Sequence, residues 1–183
     1  MVAAAFSLVA LWAFAEAVLW FIVADVPIMA VGAIWGRRRA MVAALVGSAA
    51  AALGGVAVIL WVRSDPDGAL RAIMAVPGIS LDLYHATSET FLLGPLSEMV
   101  IGSFSGVPYK LYALSAAAHD YDLVAFALLS FLARLPRFFM VALMSGTLAI
   151  RLRRRMGNLW FWALFVWSWA GFYSWYWHSM GVF

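Results

Sequence analysis

Five apolar segments, each longer than 20 residues, occupy most of this chain: Ala4–Trp35, Ala40–Val62, Phe91–Ala118, Leu123–Ile150 and Leu159–Met180. A run of about 20 apolar residues, wound as a helix, matches the hydrocarbon core of a bilayer. Backbone amides have no water to bond there, so each segment must satisfy its own and coil into a helix. Composition agrees. The chain is 66% hydrophobic and 11% charged, where soluble domains carry about 25% charged residues. The expected fold class is an all-α integral membrane protein, a single membrane domain over residues 1–183. The first segment lacks a basic leader and contains Glu16, which argues against a removable signal peptide. With no Cys, disulfides and thiolate metal sites are excluded. The net charge of +3 comes largely from two arginine clusters. It therefore reports membrane topology and not nucleic-acid binding.

Two of the five segments are interrupted in a similar way. The first carries Glu16 and then Asp25-Val26-Pro27; the second carries Glu98 and then Gly106-Val107-Pro108. Glu to Pro is 11 positions in one and 10 in the other. An ionisable group inside an apolar segment, beside a helix break and present twice, is a pattern of membrane transport sites. The alternative is that Pro27 and Pro108 only kink long tilted helices, since proline is tolerated in such helices.

Charge placement separates spanning segments from dipping ones. Arg37-Arg38-Arg39 and the run from Arg151 to Arg155 should both face the cytoplasm. An even number of crossings must then lie between them. Ala40–Val62 and Leu123–Ile150 supply two, so Phe91–Ala118 is expected to enter and leave by one face, broken at Gly106 and Pro108. Ala4–Trp35 is its expected partner from the opposite face, turning near Pro27. The result is an inverted repeat of re-entrant hairpin plus transmembrane helix, over residues 4–63 and 91–150. Between them, residues 64–90 hold two short amphipathic stretches, Ala69–Val76 and Leu81–Glu89, expected to lie along the interface. A Trp-rich helix over 159–180 completes the chain as one more crossing.

Glu16 lies 12 residues into its segment, roughly 18 Å deep at 1.5 Å per residue. An unanswered charge there costs about 3 kcal/mol even on lenient scales. Either it is held neutral by hydrogen bonds within the bundle, or it exchanges a proton or cation. Asp25 either joins it in that coupling or caps the half-helix after the break. Glu98 is read as its repeat counterpart, although close to its segment's start. Lys110, the only lysine, follows Pro108 by two residues. It is a candidate partner for Glu16 or for an anionic head group, unless it snorkels to the interface. Arg134 and Arg137 share a helical face in mid-segment. They require anions, supplied by buried carboxylates or by a phosphate held in forked hydrogen bonds. Gly54, Gly55 and the small residues before them mark a face where another helix packs closely. Exposed Gly/Ala faces also permit a homodimer. No nucleophile–base pair or metal-ligand set stands in the apolar segments, so an enzyme, a bound metal and a cofactor are not expected.

These residues resemble the DedA superfamily, also described by its VTT (SNARE-associated) domain, and among its members the short YqaA-like ones. The similarity rests on Glu16 with Asp25-Val26-Pro27, on Gly106-Val107-Pro108-Tyr109-Lys110, and on Ala125 to Phe139 with Arg134-Leu135-Pro136-Arg137. The resemblance implies a multi-pass protein of the bacterial inner membrane that moves polyprenyl phosphate or phospholipid between leaflets, coupled to protons or other cations. By that analogy Glu16 and Asp25 form an acidic pair, and Lys110 and Arg134 a basic one. The chain departs from the common family pattern at Ala133, where glycine is frequent, and after Pro27, where Met29 and Val31 stand in place of an acid. Two rival functions fit the same residues. One is a proton-coupled antiporter of small cations or drugs; the other is a membrane scaffold whose buried charges only fix packing.

Overall fold

The computed structural model describes residues 1–179, and within them the chain is all-helical, with no strand. Helix α1 (Val2–Val18) ends at Leu19, and an extended stretch leads into α2 (Asp25–Trp35). The indole of Trp12 donates to the carbonyl of Ile22 at 3.0 Å, pinning that stretch against α1. This break falls over residues 19–24, ahead of the expected Asp25-Val26-Pro27 turn. The reason is local. Pro27 sits in the first turn of α2, where a backbone N–H has no intrahelical partner to lose, so proline opens the second arm and does not end the first.

Gly36, at φ 83°, separates α2 from α3 (Arg37–Ser64). Asp65 then caps α4 (Pro66–Met74) by accepting from the amide of Gly68 at 2.9 Å. Ser80 caps α5 (Leu81–Leu93) in the same manner. Helix α5 runs four residues past the expected end at Glu89, so the second broken segment starts at Pro95 and not at Phe91. Its arms are α6 (Pro95–Ser105) and α7 (Tyr109–Ala118). Gly106, at φ 91°, and Pro108 stand between them, as the spacing predicts. Asp122 accepts from Ala125 at 2.7 Å and starts α8 (Leu123–Met156), which continues through Pro136 and carries the second arginine cluster in its last turn. Helix α9 (Asn158–Ser179) closes the described chain; Met180, the expected last residue of that helix, lies outside it.

Helices α3 and α8 are long and apolar enough to cross a membrane. Arms α2, α6 and α7, of 11, 11 and 10 residues, are each too short to do so alone, and α1, of 17, stands at the lower limit. Arm α1 packs on α3 and arm α6 on α8, each on the long helix of its own unit. Of the second arms, α7 packs on α3 of the other unit, and α2 packs on both α8 and α3. Small residues allow this. A Cβ on Gly47 would stand 3.4–3.5 Å from Val9 of α1, Ile28 of α2 and Phe138 of α8, so three helices converge on one glycine. Next along α3, Gly54 faces Phe14 and Ala17, and Gly55 faces Tyr109 and Phe126. The outer surface is apolar: Leu11, Val124, Leu128, Leu159, Trp167 and Trp175 are all more than half exposed. A face of this kind belongs against hydrocarbon or another protein rather than water.

Candidate functional site

The two breaks meet in the middle of the bundle, and five charged residues meet with them. Glu16 comes from the last turn of α1, Asp25 opens α2, Lys110 lies in the first turn of α7, and Arg134 and Arg137 project from the centre of α8. Arg134 donates through both terminal nitrogens to both oxygens of Glu16, at 2.8 and 3.1 Å. This is the forked pairing that a guanidinium makes and an ammonium does not. Its guanidinium carbon also lies 4.1 Å from the centroid of the Tyr109 ring, a cation–π contact in a buried setting. Arg137 donates to Asp25 at 2.5 and 3.0 Å, and to the backbone carbonyl of Ser103 at the end of α6. Each arginine of the shared face therefore has its own carboxylate, one from each arm of the first broken segment. Three residues of separation on α8 are matched by the offset between Glu16 and Asp25 across the break.

Lys110 behaves differently. It is 3% exposed, and its ammonium donates to the carbonyl of Trp20 at 2.9 Å. The break leaves that carbonyl outside any helix. No carboxylate among the described residues comes within 4.0 Å of Lys110, so the expected pairing with Glu16 is not formed. Arg134, with the better-shaped donor, holds that acid instead. Asp25 likewise does not cap α2, because its side chain is turned to Arg137 and Ala24 is the cap residue.

Glu16, Lys110, Arg134 and Arg137 border a common cavity of about 180 Å³. Its walls are Trp20 and Phe21 from the first break, Gly106 to Pro108 from the second, and Phe172 and Tyr173 from α9. The hydroxyl of Tyr173 accepts from the amide of Val23 at 2.8 Å, fastening α9 to the first break. Three cationic side chains and one carboxylate, Glu16, thus border a largely apolar cavity, and Asp25 pairs with Arg137. Two polar atoms there, Nε of Arg134 and Oδ1 of Asp25, are buried with no hydrogen-bond partner.

Glu98 is left out. It lies in the first turn of α6, away from the cavity, and only its backbone carbonyl is used, accepting from Tyr112 at 2.9 Å. The position on α6 that bonds α8 is Ser103, two residues before the end of its helix as Glu16 is before the end of α1, whereas Glu98 stands seven residues before it. Sequence reasoning passed over three contributors: Tyr109 beneath Arg134, Tyr173 against the first break, and the carbonyl of Ser103. Tyr109 was signalled by its place beside Lys110; the other two carry no sequence signal. His119 and Asp122, between α7 and α8, bond to Ser88 and to the start of α8. No family model, curated protein or solved structure matches this chain.

Proposed function

We propose that the chain is a multi-pass membrane protein with two inverted re-entrant units, and that it moves an anionic, phosphate-bearing lipid between leaflets. The observation that carries this reading is the charge balance of the central cavity. Three cations, one of them a buried ammonium with no carboxylate within 4.0 Å among the described residues, are set against two carboxylates. An enclosed site with a positive excess favours an anion. Guanidinium forks suit phosphate oxygens in particular. The packing of α2 and α7 on the long helix of the other unit supports the inverted repeat, and the apolar exterior supports burial in lipid.

In the mechanism, the phosphate is held by Lys110 together with Arg134 and Arg137. Bound to Arg134, ionised Glu16 competes with the phosphate for the same fork. Protonation of Glu16 frees Arg134 and favours capture; loss of the proton returns the fork to Glu16 and favours release. The coupling is therefore carried by one exchange of partners on Arg134.

The test is a head-group-specific leaflet-transfer assay with purified protein in vesicles. Lys110→Gln should reduce transfer of a phosphate-bearing lipid at least tenfold. Arg134→Gln alone would strand a buried carboxylate, so the informative variant is Glu16→Gln with Arg134→Gln, which removes charge in matched pairs. It should remain folded and lose transfer. A cation antiporter would instead keep its cation flux when Arg134 is neutralised. A scaffold would regain its full role when Glu16 and Arg134 are exchanged. Undiminished lipid transfer by both variants overturns the proposal.

A further inference from the structure

The arginine clusters at the ends of α3 and α8 do more than mark one end of the bundle. The close approach of Gly146 to the backbone of Arg37 brings the two clusters side by side. Between them opens a groove of about 580 Å³, bordered by Arg39, Arg153 and Arg154, with Trp35, Gly36 and Asn158. No Asp or Glu lines it. Arg153 is anchored by a 2.8 Å hydrogen bond to the carbonyl of Ala33. Arg39 and Arg154, in contrast, form no ion pair or side-chain hydrogen bond among the described residues. Helix α3 begins at the groove after Gly36 without a side-chain cap, but α2 ends there at Trp35, and Arg153 already bonds one of its last carbonyls. The opposed helix ends offset one another, so the positive charge of the groove is that of its arginines.

We propose that this groove is a second anion site, which binds a phosphate group at the end of the bundle remote from both breaks. Arg137 and Arg153 are 16 residues apart on one helix, or about 24 Å at 1.5 Å per residue. The groove is thus separate from the central cavity, at the level where head groups would lie. Arg39 and Arg154 supply free donors, and Arg153 fixes the wall. Ile34 and Ile150 line the apolar edge, and exposed Leu159 and Trp160 lie beside it, where acyl chains would pass. The phosphate of an anionic lipid and free inorganic phosphate share the recognised chemistry. The lipid source rests on the membrane reading above; the anion site itself does not.

Arg39→Gln with Arg154→Gln is the test variant, because neither side chain holds another part of the fold. Binding to the full chain would be measured in two arms. One follows phosphatidic acid against phosphatidylcholine in nanodiscs by native mass spectrometry; the other follows inorganic phosphate in detergent by calorimetry. At about 1 kcal/mol per interfacial arginine, the double variant should bind the phosphate probe about thirtyfold more weakly. Lys110→Gln should leave that step unchanged. Binding of phosphatidic acid alone assigns a lipid ligand, and equal binding of inorganic phosphate assigns a free one; either supports the site. Unaltered affinity in the double variant, or phosphatidylcholine binding as tightly as phosphatidic acid, overturns it. Loss of leaflet transfer elsewhere with this binding intact would count only against the transport reading.

Discussion

The choice of cation for each acid is made at the level of single side chains. Arg134 takes Glu16 because its two parallel donors match two carboxylate oxygens, whereas Lys110 offers a point charge and is satisfied by one carbonyl. That division leaves Lys110 available to an incoming anion. It also makes Glu16 the residue whose protonation changes what Arg134 can hold. Glu16→Gln is expected to retain lipid binding and lose the dependence of transfer on pH, because an amide cannot exchange a proton. Transfer rates across a pH series in reconstituted vesicles check this; a profile that keeps its wild-type slope removes the coupling. None of these partners could be read from the chain, since Glu16 and Arg134 are 118 residues apart. What was readable was that each charge inside an apolar segment needs an answer.

Among the helices, close packing on α3 and the sharp turn at Gly106 are the features that set the arms in place. A side chain on Gly55 would meet the ring of Tyr109, which in turn supports Arg134. Gly55→Val should therefore destabilise the protein by about 2 kcal/mol through overpacking, and should lower transfer as well. Gly106 has open space around it but a φ of 91°, so Gly106→Ala should cost about 1 kcal/mol from backbone strain alone. Gly171 is a control of opposite sign. It stands in the interior of α9 with nothing near its Cβ position, and Gly171→Ala should stabilise the helix by about 0.5 kcal/mol. Thermal unfolding in detergent of the three variants side by side gives the order. The Gly106–Pro108 break was legible, since glycine and proline punctuate an apolar run with few alternatives. The first break was displaced to residues 19–24, where Leu, Trp, Phe and Ile carry no breaking signal and Trp12 and Tyr173 hold the chain from outside it.

For the molecule as a whole, the two long helices bring both basic clusters to one end, which the charge pattern anticipated. Arg37 and the last turn of α8 lie at one end, while Asp67 and Asp120 belong to the other. The chain has no cysteine, so single introduced cysteines report sidedness cleanly. Cysteines at Asp67 and Asp120 should be labelled from one face of the membrane and those at Arg38 and Arg155 from the other. Labelling of Asp67 and Arg38 from the same face would break the topology. What the sequence determined alone was the class of structure: apolar runs must become helices, and basic clusters must share an end, because both follow from local chemistry repeated along the chain. Tertiary packing decided which acid met which base, that Glu98 stayed outside, and that Arg39 of α3 and Arg153 and Arg154 of α8 bordered one groove. Those outcomes depend on helix lengths and crossing points. Glu16 stands two residues before the end of α1 and Glu98 seven before the end of α6, so one glutamate reaches its break and the other does not.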